Sequence, residues 1–394
     1  MRRTLIVVLF VLAAGIGPAR ALRLPLRSYG PAEGLADAGV YRVRIGPAGF
    51  VWIATLGGLW RFDGERFDVL GPGDGVPRCQ VFDFAFTQDG SLWIASEAGL
   101  FHGDPARVVS GRPTFSEIPL VDATRRELPH RLAPAADGSV WVGTFQGLWK
   151  ITPSAPGAVA RRFALGGGTS PPAISRVQAL AIDGSGAVWV GTAAYGVYRL
   201  GASGKVDRCG NEVEGCSFVR DFLFDGEGGV WAAYLGGLAR FDIATFAAGV
   251  VPNVILRPSD GLPGIDTEAL LAIAPDHLLL ASTAGITEID RDASGRWKAG
   301  ATLDRRSGLP GDNVSSLARD AAGNLWIGFV TGGLSKRIAG GFVEQDDAEE
   351  PGTRIMALGR GRDGRLIVLS AAGALRWTIR IVSRDRTETH PLPP

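Results

Sequence analysis

The chain has 394 residues, 46% of them hydrophobic, 21% charged and 8% aromatic. That composition excludes a disordered chain and supplies enough apolar side chains for a large core. Forty-one basic and 40 acidic side chains nearly cancel. No basic block or stripe is present, which argues against nucleic acid as a partner.

The N-terminus reads as a signal peptide over residues 1–21. Arg2 and Arg3 form its charged region, Leu5 to Ala14 its short apolar run, and Ala19-Arg20-Ala21 a small-residue cleavage pattern. The alternative is the same segment retained as a membrane anchor. No later stretch approaches the roughly 18 uninterrupted apolar residues of a span. The expectation is therefore a periplasmic or secreted protein whose residues 22–394 form the fold. Cys209 and Cys216 flank the loop Gly210-Asn211-Glu212-Val213-Glu214-Gly215. In an oxidising compartment they could close it as a disulfide or stay as two thiols. Cys79 is left over, and no cysteine has zinc-ligand spacing.

Tryptophan sets a period. Trp52, Trp93, Trp141, Trp189, Trp231 and Trp326 each follow a Gly-x-[Leu/Val] step, and Leu279 and Ile367 fill the two missing places. The spacings run 41, 48, 48, 42, 48, 47 and 41, a length typical of propeller blades. Three residues before these anchors stand Gly49, Gly90, Gly138, Gly186, Gly228, Asp276, Gly323 and Gly364. Nine before them all residues are apolar, from Val43 to Leu358. Two after them stand Ala54, Ala95, Gly143, Gly191, Ala233, Ala281 and Gly328. A large residue beside a small one suits wedges that interdigitate.

Each unit reads as four short strands. In the first, Val40 to Ile45, Val51 to Ala54, Leu59 to Phe62 and Glu65 to Val69 are separated by Gly-rich turns. No window carries a sustained helical period. The fold class is all-β: a β-propeller of eight four-stranded antiparallel blades. Leu24 to Tyr29 is expected to complete the eighth blade and so close the ring. The alternative is seven blades followed by the first blade of a second propeller.

The units resemble the two-component regulator propeller repeat. Gly308-Leu309-Pro310, Asn313-Val314, Asp320, Gly323 and Leu325-Trp326-Ile327-Gly328 carry the closest match. Val140-Trp141-Val142-Gly143-Thr144 and Gly237-Leu238-Ala239-Arg240-Phe241-Asp242 match other stretches. The resemblance covers about residues 24–380 and implies an extracytoplasmic sensor region of hybrid sensor kinases and diguanylate cyclases. It further implies a binding module rather than an enzyme, with a membrane-bound signalling partner. The downstream membrane and output parts usual in that family are not recognisable before Pro394.

No His-Glu-x-x-His, serine elbow or P-loop is present, and neither a metal nor a cofactor is expected. Asp63, Asp89, Asp137, Asp183, Asp225 and Asp320 recur at turns, where aspartate is favoured for its own sake. Candidate ligand residues are those entering the innermost strands, eleven and thirteen positions before the anchors. They include Tyr41, His130, Arg176, Arg220, Asp266, Asn313 and Arg354. These positions vary between units while the framework does not, which suits a pocket for a small polar ligand; an oligosaccharide is one class that fits. The three arginines could instead pair with neighbouring acids such as Asp221 or Glu268. Two other classes stay open: a propeller lyase, with His130 and Asp266 or Glu268 as its acid–base pair, and a protein-binding scaffold.

Overall fold

The computed structural model describes residues 26–339, apart from 38, 107–113, 123–124, 155–157, 164–175, 247–249 and 265, together with four strands between 353 and 391. The chain divides into two compact units, Met1–Phe342 and Val343–Pro394.

In the first unit, seven four-stranded antiparallel sheets succeed one another. Blade one is Val40–Ile45, Val51–Thr55, Gly58–Phe62 and Phe67–Val69, paired in that order. The first strands of blades two to seven are Val81–Phe86, Pro129–Pro134, Val177–Ile182, Val219–Phe224, Thr267–Ala274 and Val314–Arg319. Each contacts the first strand of the next blade, and the seventh contacts that of blade one. The ring therefore closes at seven, around an axis lined by these strands.

The expected eighth blade is not part of that ring. Leu26–Tyr29 pairs with Leu334–Arg337 and supplies the fourth strand of blade seven. Tyr29 is buried there, stacked on Trp326 with ring centroids 5.9 Å apart and tilted against Phe62 at 5.1 Å. The eighth repeat makes its own sheet from Thr353–Arg360, Leu366–Ala372, Arg376–Val382 and Thr387–Pro391. It draws all four of its strands from its own repeat, whereas blade seven takes its fourth from the N-terminus. His390 lies on its last strand, Thr387–Pro391.

The core lies between blades rather than within them. One cluster joins Trp52 and Ala54 of blade one to Phe84, Ile94 and Phe101 of blade two, and the other clusters repeat this arrangement around the ring. All six anchor tryptophans are buried, and Trp189 and Trp231 have no exposed surface. The small residues beyond the anchors have the expected cause. A Cβ added at Gly143 would stand 2.4 Å from the Val177 side chain, and one at Gly328 would stand 2.6 Å from Val40. The next blade's first strand presses onto that position and leaves no room for a side chain.

The turn glycines behave as read. Gly49 has φ +81° and Gly323 φ +83°, a left-handed conformation that glycine adopts without penalty. Blade six, with Asp276 in that place, uses a two-residue turn between the longer strands Thr267–Ala274 and His277–Ser282. The recurrent aspartates cap their own turns. Asp183 Oδ1 accepts from the amides of Ser185 and Ala187, while its Oδ2 accepts from the Trp189 indole at 2.9 Å. Asp320 treats Asn324 and Trp326 in the same way. Cys209 and Cys216 form a disulfide across their loop.

Candidate functional site

Every first strand carries the same irregularity. Its pairing register slips after the first residue, between Val40 and Arg42 in blade one, Val81 and Asp83 in blade two, and so on through Val314 and Ser316 in blade seven. Such a bulge sets two residues opposite one on the partner strand and redirects their side chains. The bulged residues are Tyr41, Phe82, His130, Gln178, Arg220, Glu268 and Ser315. These are the positions eleven before the anchors, so the ring the sequence singled out is a ring of bulges at one mouth of the channel.

His130 anchors that mouth. Its Nδ1 lies 2.8 Å from the Val177 carbonyl and therefore donates. Its Nε2 is then an acceptor and takes a hydrogen bond from Arg176 Nη2 at 2.8 Å. Burial first, then Arg131 and Arg176, push its pKa far below the ordinary histidine value. The imidazole is neutral, with its tautomer fixed and its lone pair occupied. The Phe82 and Phe145 rings flank it, and the Arg176 guanidinium lies 4.8 Å from the Phe145 centroid.

Arg220 continues the ring. Nη2 lies 3.4 Å from Asp266 and Nη1 lies 3.9 Å from Glu268. Burial pushes the Glu268 carboxyl up, with Arg220 pulling it back. The Arg176 guanidinium is lowered by burial and then by Arg220, so the two arginines share one zone. Tyr41 is half-buried on blade one, and burial raises its hydroxyl pKa. Asn313 precedes the blade-seven strand, and its carbonyl accepts from the Val330 amide at 3.0 Å. Arg354 is the exception. It lies on Thr353–Arg360 in the second unit and not on one of the seven first strands that line the channel, so the blade count, and with it the eight-membered ring to which Arg354 was assigned, is corrected.

One position further along each strand lies a set of which only Asp221 is named from the sequence: Arg42, Asp83, Arg131, Asp221 and Ser316. Three of these side chains clasp the next blade. Asp83 Oδ2 accepts from the Leu132 amide at 3.0 Å, Asp221 Oδ2 from Leu270 at 2.9 Å, and Ser316 Oγ from Val43 at 3.0 Å. Asp83 also takes Arg44 Nη1 at 2.7 Å, with Arg42 Nε at 3.7 Å. Burial would raise the Asp83 carboxyl, but Arg44, Arg42 and Arg131 outweigh it and hold it below the usual carboxylate value. Asp221 goes the other way. Burial raises it more than Arg42 lowers it. Arg131, whose Nε donates to the Gln178 carbonyl at 2.8 Å, is pulled down to about 9, by burial first and Arg42 second. It remains protonated at neutral pH.

These residues line an axial cavity of about 450 Å³, with Arg44, Arg220 and Arg319. Most of its lining comes from the later residues of each strand, so it extends from the bulges toward the opposite mouth. Among the described residues, no group of His, Cys, Asp or Glu is placed to hold a metal ion, and no helix is long and apolar enough to cross a membrane.

Residues 308–330 match the family model described as two component regulator propeller. That match falls on the first two strands of blade seven and the residues leading into them. The fold is similar to the extracellular domain of the putative hybrid two component system BT3049 from B. thetaiotaomicron, at 17% identity and a TM-score of 0.65, over 93% of this chain and 49% of that one. The corresponding domain of BT4673 from the same organism aligns at 16% identity and a TM-score of 0.63, over 93% and 47%. The chain thus spans about half the length of these domains. A streptogramin B lyase aligns at 13% identity and a TM-score of 0.58, over 80% and 98%. Identities this low establish the fold. No curated protein matches the sequence.

Proposed function

We propose that this chain is the extracytoplasmic ligand-binding propeller of a two-component-type sensor, and that it holds a small polar ligand at the bulge-ringed mouth. The observation that carries this is a set of unmet hydrogen bonds. Arg176 Nε, Gln178 Oε1 and Arg220 Nε are buried there without a partner, although buried polar atoms are nearly always paired. A ligand rich in hydroxyls, such as an oligosaccharide, would satisfy all three, accepting from the two Nε–H groups and donating to Gln178 Oε1. Periplasmic placement and a membrane-bound signalling partner belong to the same proposal, supported by the shared repeat and the likeness to extracellular sensor domains.

A lyase reading has less support. His130, its candidate base, already accepts from Arg176, and a general base needs a free lone pair within reach of the substrate. The test is a thermal-shift screen of the full chain against neutral and uronate-containing oligosaccharides, since a ligand that binds only the folded state raises Tm. The hit is then titrated calorimetrically into an Arg176→Ala/Arg220→Ala double variant. Affinity should fall at least tenfold. A hit that binds the folded double variant unchanged overturns the mouth as the site, and a panel without any hit overturns the oligosaccharide class.

A further inference from the structure

The axial cavity adjoins the mouth, with Arg220 common to both, and its charge is unbalanced. Five arginines line it, Arg42, Arg44, Arg131, Arg220 and Arg319, against two aspartates, Asp83 and Asp221. Arg220 is answered on the mouth side by Asp266 and Glu268. Four guanidinium groups then face two carboxylates, and both carboxylates are already engaged in holding blades together through the Leu132 and Leu270 amides. Arg42 Nε is buried with no hydrogen-bond partner. Arg319 stands exposed at the far end, with one bond, at 3.3 Å, to the Ile273 carbonyl.

Arg44 and Arg319 reach solvent, but Arg42 and Arg131 are more deeply placed, and neighbouring buried cations are costly unless an anion joins them, because the low local dielectric magnifies their repulsion. The arginines stand among apolar side chains such as Val43, Phe222, Leu270 and Leu317, which do nothing to offset their charge. We propose that this cavity is a second binding site, for a small oxyanion carrying two negative charges, with Arg42 and Arg131 as its principal donors and Arg319 at its entrance. A phosphoryl group, a sulfate or a short dicarboxylate shares this chemistry. The planar guanidinium forks suit such oxygens, and the volume leaves room for an organic remainder.

The test uses the full chain with sulfate, inorganic phosphate and succinate, each compared with sodium chloride at matched ionic strength. A saturable rise in Tm is expected for at least one dianion and not for chloride, and its ranking separates the phosphoryl, sulfate and dicarboxylate sources. Arg42→Gln should weaken that binding about tenfold, as expected for the loss of one charge-assisted hydrogen bond. Arg257→Gln, which removes an exposed partner of Glu214, should leave it unchanged, which distinguishes binding in the cavity from a general response to positive charge. Should Arg42→Gln fail to fold, Arg319→Gln, which gives up one exposed bond, should still weaken binding about threefold through lost attraction at the entrance. An equal response to chloride, or unchanged dianion affinity in the folded variant, overturns the proposal.

Discussion

The two ends of the channel use arginine in opposite ways. At the mouth, Arg176 is met by His130 and the Phe145 face, and Arg220 by Asp266 and Glu268. In the cavity, Arg42 and Arg131 outreach the carboxylates available to them, and Asp83 is shared between Arg42 and Arg44. The difference comes from one residue of register. A bulge turns two consecutive residues toward the axis, so adjacent positions of one strand serve two different electrostatic environments. The mouth pairs its arginines with a histidine, an aromatic face and two acids, whereas the cavity gathers more arginines than carboxylates.

Both ends rest on the same tryptophan frame, and the largest expected effects test that frame. Trp189→Ala should cost about 3–5 kcal/mol in chemical denaturation, the range for a large aromatic lost from a packed core. A loss below about 1 kcal/mol would mean that this position is not the packing anchor between blades. On the cavity side, Asp83→Ala should cost a comparable ~3–5 kcal/mol, because it leaves the largely buried Arg42 and the Leu132 amide without their shared partner. Should Asp83→Ala prove nearly neutral, the contrast between the two ends would lose its energetic basis.

The two clasping aspartates sharpen the contrast through pH. Asp83 has its folded pKa depressed, so its stabilising contribution is present above the unfolded value of about 3.9 and is lost as pH falls through the lower folded value. The stability gap between the wild type and Asp83→Asn should therefore be widest above about pH 4 and narrow on acidification. Asp221 has its folded pKa raised, so its contribution is present below about 3.9 and is lost as pH rises through the folded value. Asp221→Asn should then gain on the wild type as pH climbs toward neutrality. Parallel curves of Tm against pH for the two variants would contradict the opposite assignments.

The smallest effect belongs to the mouth. Asp266→Ala removes a half-exposed partner 3.4 Å from Arg220, and such pairs contribute about 0–1 kcal/mol. A loss of several kcal/mol would show that the mouth is as tightly coupled as the cavity. Its binding effect, read by titration of an oligosaccharide hit, should exceed its effect on stability.

Much of the frame was legible along the chain. The anchors Trp52 to Trp326, the turn glycines and the small residues at Gly143 and Gly328 recur in fixed register, because each blade must present the same wedge to the next. Capping aspartates such as Asp183 were legible for the same reason. The mouth was legible as a set of variable positions, and Tyr41, His130, Arg176, Arg220, Asp266 and Asn313 do sit on that ring or at its entry. The cavity was not. Strand alternation directs attention to every second residue, and the bulge breaks that alternation, so Arg42, Asp83, Arg131 and Asp221 fell on the skipped parity. Their signal was present all the same: charged side chains in strands that must be enclosed on both faces.

What the sequence determined by itself is the repeated unit, since spacing, apolar periodicity and turn chemistry are local and every copy restates them. What only the tertiary structure decided is where the repetition stops and which strand closes it. Eight copies are nearly equivalent as strings, but strand pairing is a long-range choice. Leu26–Tyr29 joins Leu334–Arg337 because Tyr29 finds Trp326 and Phe62 there, while the eighth repeat completes its own sheet with Thr387–Pro391. With the ring closed at seven, Arg176 and Arg220 meet on one axis and Arg354 belongs to another unit, a distinction that residue type and spacing do not encode.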